Sequence, residues 1–219
     1  MAEDILQKFA RTKELNDEDA FEADARAKRP GITRAEATDY YNQVAMDLYE
    51  EYLNPRRYRG PVIAAEAVAD FFPQERDSKL ILDFAAGTGF VGEELSKRGF
   101  KRLHCLEPSR GMLDVAVRKG IYLKEFCYMY DCAVCSGGFG EAAVPVVGLR
   151  ELVRIVKPGG LVCFLVSEEY LTEVVEYRDR LEPLLAEMEQ AGMWRRLSRI
   201  VAPGYYFDLP AVIFQYVVC

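Results

Sequence analysis

The sequence predicts an α/β protein with a doubly wound, mostly parallel β-sheet that ends in an antiparallel hairpin. From Lys79 onward, short apolar segments alternate with helical segments, as in a parallel sheet covered by helices on both faces. A glycine-rich turn follows the first apolar segment, at the point where a ligand-binding turn is expected. The last two extended segments, 195–201 and 211–218, are joined by a loop rich in Pro, Gly and Tyr, which indicates a hairpin at the sheet edge.

Composition and charge restrict the classes of function. The chain has 219 residues, of which 50% are hydrophobic and 29% charged, so we expect one soluble globular α/β domain. The net charge of −7 argues against a dedicated nucleic-acid binder, which needs a basic face to neutralise phosphates. No apolar run reaches the roughly 18 residues of a membrane span, and the acidic start fits no secretory or mitochondrial leader. We therefore expect a cytoplasmic protein without nucleic-acid or membrane partners.

The cysteines and the one histidine, His104, indicate no metal centre. The six cysteines lie mostly in apolar, strand-like runs, which predicts buried free thiols in a reducing compartment. Cys132 and Cys135 have CxxC spacing, but residues three apart on a strand point to opposite faces. We therefore expect neither a metal cluster nor a catalytic Cys–His pair.

The segment ahead of the alternating pattern is predicted to be helical. Residues 1–37 are rich in charge and alanine, which indicates a helical or partly disordered leader, and we place a single main domain at 38–219. Thr33 and Glu36 have the spacing of a capping box, which opens a helix from about residue 34 to residue 53.

The remaining elements follow from apolar periodicity and from the positions of Gly and Pro. Helices are predicted at 61–72, 90–98, 110–118, 146–156 and 173–191. Parallel strands are predicted at 80–83, 103–106, 122–127, 131–135 and 160–166. The third and fourth of these strands are too close together, because a parallel crossover needs about ten residues or more.

The carboxyl ends of the first two strands carry acids beside the glycine turn. The strand at 80–83 ends on Asp83, and Gly87 and Gly89 follow in a turn that lets the backbone approach a ligand closely, since no Cβ blocks it. The second strand ends before Glu107, and an acid at this position can accept hydrogen bonds from both hydroxyls of a ribose. The sequence therefore predicts a nucleoside cofactor at this edge of the sheet.

The residues ahead of the glycines indicate which cofactor binds. Gly87, Gly89 and Gly92 match the G-x-G-x-x-G pattern of dinucleotide-binding enzymes, but glycines serve any tight turn between strand and helix. The spacing Asp83-x-Ala85-x-Gly87-x-Gly89 resembles the first motif of class I S-adenosylmethionine-dependent methyltransferases. A carboxylate repels the pyrophosphate of a nicotinamide cofactor and attracts the ammonium and sulfonium of adenosylmethionine. We favour the methyltransferase and keep an NAD-binding oxidoreductase as an alternative.

Three further segments carry a narrower resemblance, to methyltransferase-like proteins of the Williams–Beuren region type. They are 81–92, 99–113, and 156–163 together with 190–194. The resemblance covers roughly residues 40–195 and implies a Rossmann-like fold of the class I methyltransferase type, with S-adenosyl-L-methionine as the cofactor.

The resemblance also implies the residues that hold the cofactor. Those around the methionine portion would be Asp83, Ala85, Gly87, Thr88 and Gly89. Glu107 would take the ribose hydroxyls. The adenine would be lined by Pro108, Ser109 and Met112.

A second implied group lies at the acceptor end. Tyr41 would cover the cofactor, with Tyr49 as a second candidate, and Cys135 and Ser136 would face the transferred methyl group. Methyl transfer can depend on in-line positioning alone, so the sequence assigns no catalytic residue. The acceptor is predicted to be a small molecule or a protein, and the oligomeric state is left open.

The chain departs from the family between the third and fourth predicted strands. Relatives have a longer loop there, which carries the group that reads the adenine amino nitrogen. Either the adenine end is open, or Glu125 or Tyr128 compensates, or this chain lacks a segment. A non-catalytic relative with impaired cofactor binding therefore stays an alternative.

Overall fold

The computed structural model describes residues 15–44, 48–123 and 129–219. The strands are β1 (Leu80–Phe84), β2 (Arg102–Leu106), β3 (Tyr130–Ser136), β4 (Val156–Ser167), β5 (Trp194–Tyr206) and β6 (Leu209–Val218). The helices before β1 are α1 (Asp17–Arg26), α2 (Arg34–Val44), α3 (Tyr49–Tyr52) and α4 (Gly60–Phe71). Those after it are α5 (Phe90–Lys97), α6 (Arg110–Arg118), α7 (Leu149–Ile155), α8 (Tyr170–Glu173) and α9 (Leu181–Gln190).

The strands form one mixed sheet in the order β2-β1-β3-β4-β6-β5. The first four strands along the chain pair in parallel, whereas β6 is antiparallel to both β4 and β5. Helices cover both faces, as the alternating sequence pattern requires. The predicted fold class, a mostly parallel sheet with a C-terminal antiparallel hairpin, is confirmed.

The core lies on both faces of the sheet because alternate strand residues point in opposite directions. On β3, Cys132 packs against the face that carries α4 and α5, and Cys135 packs against the face that carries α7 and α9. The two thiols are buried and free, as is the thiol of Cys163 on the neighbouring strand β4. The CxxC pair is therefore split between two cores, as its spacing on a strand predicted; Cys127 lies outside the described residues.

The described part of the predicted leader packs onto the rest of the protein. In α1, Asp17 Oδ1 accepts a hydrogen bond from Arg57 Nε at 2.6 Å, and the buried Asp24 accepts one from Tyr206 Oη at 2.6 Å. Arg57 also donates to the backbone oxygen of Leu15. These contacts join α1 to the segment just before α4 and to the end of β5. The division of the chain at residue 37 stays a prediction.

Two predicted helices differ from the structure. The capping box of α2 is present, since Thr33 Oγ1 accepts from Glu36 N and Glu36 Oε2 accepts from Thr33 N. The helix predicted from about residue 34 to residue 53 is present as α2. After residues that lie outside the described ranges, the chain is helical again only in the short α3. The helix predicted at 173–191 is present only in its second half, because α8 ends at Glu173 and α9 begins at Leu181. Pro183 accounts for the break: its ring clashes with the carbonyl four residues earlier in a continuous helix, but fits in the first turn of α9.

The third predicted strand, 122–127, also differs. Tyr122 forms an isolated parallel bridge with Leu103, and Leu123 N donates to the oxygen of Leu103 at 2.8 Å. The chain thus lies beside the outer edge of β2, whereas β3 lies on the other side of β1. The two segments that seemed too close in sequence are not neighbours in the sheet. Glu125 and Tyr128, with the rest of the predicted strand, lie outside the described residues.

Candidate functional site

A cavity of about 510 Å³ lies at the carboxyl ends of β1 and β2. This volume is in the range of cofactor and small-molecule sites. The predicted residues that line it are Tyr41, Tyr49, Ala85, Gly87, Glu107, Pro108 and Met112. The glycine turn, the acid after β2 and the N-terminal tyrosines, which the sequence predicted for one site, therefore lie around one cavity.

The glycine turn after β1 needs left-handed backbone at three positions. The φ angles of Ala85, Gly87 and Gly89 are 55°, 57° and 92°. Glycine adopts such angles without strain, whereas alanine does so at a cost. Gly89 then serves as the N-cap of α5, so the turn leads directly from the strand into the helix.

Glu107 is fixed by the backbone of this turn. Its Oε2 accepts a hydrogen bond from Gly87 N at 2.9 Å, and its Oε1 accepts one from Ser109 N at 2.8 Å. Burial raises the pKa of this carboxyl above its usual value, and the two backbone hydrogen bonds oppose that rise. Each carboxylate oxygen keeps a further lone pair, so the side chain can accept from two adjacent hydroxyls.

Asp83 supports the turn from behind and is not among the residues that line the cavity. Its side chain is 1% exposed, and Oδ2 accepts from Gly92 N at 3.2 Å and from Tyr122 Oη at 2.6 Å. Oδ1 has no hydrogen-bond partner among the described residues. Burial raises the pKa of Asp83 to about 7, against the effect of both hydrogen bonds. A direct role for Asp83 in cofactor binding stays a prediction.

Tyr122 is a site-supporting residue that the sequence reasoning missed. Its ring packs against Gly89 and Gly92, and a Cβ at Gly92 would collide with the Tyr122 hydroxyl. The third glycine of the pattern was the available signal, because it leaves room for a side chain from another segment. Gly92 therefore leaves room for the Tyr122 hydroxyl, which donates a hydrogen bond to Asp83.

Thr88 and Ser109 also lie behind the cavity wall. Thr88 is fully buried, and its Oγ1 has no partner among the described residues. Ser109 Oγ accepts from Met112 N at 3.2 Å as the N-cap of α6, and donates to Asn42 Oδ1 at 2.8 Å. Ser109 therefore orients α6, which carries Met112 into the cavity, and ties that helix to α2.

Cys135 and Ser136, predicted to face the methyl group, are not among the residues that line the large cavity. Cys135 is fully buried, with its sulfur close against Gly138. Ser136 Oγ is hydrogen-bonded to Tyr58 Oη at 2.7 Å. The chain after them, at Gly137 and Gly138, does line the cavity. The predicted contacts of Cys135 and Ser136 with the cofactor stay predictions.

Tyr41 and Tyr49 line the cavity next to the glycine turn. Their ring centroids are 6.2 Å apart, and Tyr49 stacks on Phe90 with centroids 6.2 Å apart. The Tyr49 hydroxyl lies 3.4 Å from the position of a Cβ on Gly87. Burial raises the pKa of both tyrosines, so their hydroxyls stay protonated.

A smaller cavity adjoins the large one and contains residues that the sequence reasoning did not select. Lys28 Nζ lies 2.6 Å from Asp24 Oδ2 and 4.9 Å from the centroid of the Tyr206 ring. Burial lowers the pKa of Lys28, but Asp24 and the surrounding tyrosines raise it by more, so the ammonium is retained. No signal in the sequence marked this pair, because charges four residues apart are common on exposed helices.

Within 15–44, 48–123 and 129–219, no group of three His, Cys, Asp or Glu side chains is arranged to hold a metal ion. Among the helices of these ranges, none is long and apolar enough to cross a membrane. The cytoplasmic location stays a prediction.

Comparison with known proteins identifies the family. Residues 82–164, which include the glycine turn and Glu107, match the model of a methyltransferase domain. Human methyltransferase-like protein 27 is 33% identical over 175 residues, which cover 74% of this chain and 70% of the relative. The chain belongs to the class I S-adenosylmethionine-dependent methyltransferases. The predicted family, enzyme class and cofactor are confirmed.

Other methyltransferases share sequence or fold with this one. A demethylmenaquinone methyltransferase from Corynebacterium kroppenstedtii is 34% identical over 121 residues, or 49% of this chain and 52% of the relative. Magnesium protoporphyrin IX methyltransferase from Synechocystis PCC 6803 has a TM-score of 0.62 at 12% identity, covering 85% and 99% of the two chains. The 1,6-didemethyltoxoflavin-N1-methyltransferase of Burkholderia thailandensis has a TM-score of 0.59 at 15% identity, covering 83% and 86% of the two chains. The structural similarities confirm the fold alone.

Proposed function

We propose that this methyltransferase binds S-adenosylmethionine in the cavity between the glycine turn and the N-terminal tyrosines, and methylates a small molecule. The observation that carries the proposal is the Glu107 carboxylate. It is held by Gly87 N and Ser109 N at the edge of a cavity of about 510 Å³. A fixed carboxylate with free lone pairs suits a ribose diol, so the residues present fit the cofactor.

The remaining lining residues supply shape and orientation. Met112 and Pro108 offer apolar surface beside Glu107, where a flexible thioether can pack against a purine. Tyr41 and Tyr49, whose rings contact each other, line the same cavity beside the glycine turn. The bound cofactor supplies a methyl group on a sulfonium, and the sulfur of that sulfonium is the activated leaving group. The chain's own contribution is to hold donor and acceptor in line and to exclude water.

A small-molecule acceptor is favoured by the placement of α1 and α2. Ala27, Lys28 and Arg34, at the ends of these helices, line the same cavity as Gly87 and Glu107. An acceptor therefore enters a space that is partly walled off by the N-terminal segment, which suits a small molecule better than a folded protein. The net charge of −7 adds no attraction for nucleic acid.

The two alternatives have gained no support. Neither the comparisons nor the described part of the structure favours an NAD-binding oxidoreductase or a non-catalytic relative. The shortened connection that motivated the non-catalytic alternative includes residues outside the description.

The acceptor class is tested by following S-adenosylhomocysteine formation from S-adenosylmethionine in the presence of a fractionated cell extract. The low-molecular-weight filtrate and the retained macromolecules are assayed separately, with heat-treated enzyme as the blank. We expect turnover with the filtrate, reduced in Glu107→Gln and retained in Glu182→Gln. Glu182 is the matched control, because it pairs with Arg199 on β5 and does not line the cavity.

Each contrary result has a distinct meaning. Turnover only with the retained macromolecules replaces the small-molecule acceptor with a protein acceptor. Binding of the cofactor without turnover in any fraction supports the non-catalytic alternative.

A further inference from the structure

The smaller cavity beside the cofactor site has the size and polarity of a subsite for one polar group. Its volume is about 20 Å³, enough for one water-sized group. The residues that line both cavities are Lys28, Tyr41, Tyr49, Gly137 and Phe139. A group placed in the small cavity therefore borders directly on the space assigned to the cofactor.

Asp24 supplies an unpartnered oxygen to this small cavity. The side chain is 1% exposed and lines the small cavity, while its Oδ1 has no hydrogen-bond partner among the described residues. A buried carboxylate oxygen without a donor is costly, so a donor supplied by a ligand is favoured there. The other lining side chains are largely tyrosines, which give the cavity aromatic walls.

Two neighbours fix the orientation of Asp24. Lys28 Nζ and Tyr206 Oη both lie 2.6 Å from Oδ2, so that oxygen is occupied and Oδ1 is the one left to a ligand. The Lys28 ammonium lies against the buried carboxylate and offsets its charge. Lys28 and Tyr206 are in this sense positioning residues.

We propose that the small cavity receives the methyl-accepting hydroxyl or amino group of a small molecule, and that Asp24 Oδ1 accepts its hydrogen bond. The proposal rests on the proposed function, since it concerns the acceptor of the same methyl transfer. Because the cavity holds one water-sized group, the rest of the acceptor lies in the larger cavity. The class of acceptor is thus a small molecule with an O–H or N–H nucleophile.

The reaction balances with Asp24 as proton acceptor. A lone pair of the acceptor oxygen or nitrogen forms the new bond to the methyl carbon while the carbon–sulfur bond breaks, and its electron pair stays on sulfur. The acceptor atom then carries a positive charge, which is lost when its proton passes to Asp24 Oδ1. No oxidant or further reactant is needed.

The test measures binding of three probes of similar shape to the protein saturated with S-adenosylhomocysteine. Aniline and phenol donate hydrogen bonds, whereas fluorobenzene has nearly the same size and donates none. Ligand-observed NMR titrations give the three affinities. We expect aniline and phenol to bind roughly tenfold or more tightly than fluorobenzene, the effect of one hydrogen bond to a charged group.

The variant Asp24→Asn is expected to remove the preference for aniline. The asparagine oxygen stays with Lys28 and Tyr206, so an amide N–H₂ replaces Oδ1 and cannot accept. The double variant Asp24→Asn, Lys28→Met leaves no unpaired buried charge and covers the case in which the single variant is unstable. Fluorobenzene affinity should be unchanged in Asp24→Asn, which shows that the shape of the cavity is kept.

The outcomes separate this proposal from the proposed function. Equal binding of all three probes to the wild-type protein, or a preference for aniline over fluorobenzene that persists in both variants, overturns the role of Asp24 while leaving the cofactor site intact. Failure of the wild-type protein to bind S-adenosylhomocysteine, measured on the same sample, overturns the proposed function and this proposal with it.

Discussion

Replacing Asp83 with asparagine is expected to change how the stability of this protein depends on pH. Burial raises the folded-state pKa of Asp83 from 3.8 to about 7, although Gly92 N and Tyr122 Oη both donate to it. The folded protein therefore holds a proton that the unfolded chain has already released. Asp83 costs no stability below the unfolded pKa, and its cost grows as the pH rises from about 4 to about 7.

The size of the effect follows from the shift in pKa. A rise from 3.8 to about 7 corresponds to about 4 kcal/mol of lost stability once both states are ionised. Part of this cost is already present at moderately acid pH. Between about pH 5 and about pH 8.5, the free energy of unfolding of the wild-type protein should therefore fall by about 3 kcal/mol relative to Asp83→Asn.

Urea unfolding measures this difference directly. Trp194 is the single tryptophan, is 1% exposed and stacks on Tyr216, so its fluorescence reports loss of the core. Other titrating groups contribute equally to both proteins and cancel in the difference. A stability difference between the two proteins that is constant from pH 5 to pH 8.5 would refute the account of Asp83 as a buried carboxyl with a raised pKa.

Three further predictions concern the same turn. Tyr122→Phe removes one donor from Asp83 and should lower stability by about 1–3 kcal/mol at pH 8.5, less at pH 5, in the same urea experiment; an equal loss at both pH values would contradict it. Gly92→Ala should destabilise the protein by about 2 kcal/mol, because its Cβ collides with the Tyr122 hydroxyl. Gly148→Ala should be neutral or stabilising, because the nearest atom to its added Cβ is 3.8 Å away. Glu107→Gln should weaken S-adenosylhomocysteine binding roughly tenfold by calorimetry, since one oxygen becomes an N–H₂ group, and unchanged affinity would exclude the proposed ribose contact.

The fold was predictable because its signals are local and repeated. The apolar strand β1, with Asp83 near its end, and the glycines after it specify a turn through backbone geometry alone. The acid after β2 follows the same logic. Alternation of side chains on β3 placed Cys132 and Cys135 on opposite faces correctly. The broken helix before α9 was missed, although Pro183 was a visible signal.

The rest of the site depends on contacts between segments far apart in sequence. Asp24 meets Tyr206 across 182 residues, and Tyr122 meets Asp83 across 39. Such contacts are set by how helices pack on the sheet, which one sequence does not show. The hydrogen bond between Ser136 and Tyr58, which are 78 residues apart, has the same origin.

The central claim, a cofactor site built on Gly87 and Glu107, is tested most directly by calorimetric titration with S-adenosylhomocysteine, with NAD titrated in parallel. We expect binding of S-adenosylhomocysteine in the micromolar range, about −8 kcal/mol, and no heat from NAD. Glu182→Gln should match the wild-type protein, and Glu107→Gln should bind more weakly. Binding of NAD in place of S-adenosylhomocysteine, or no heat from either ligand with a folded sample, would contradict the claim.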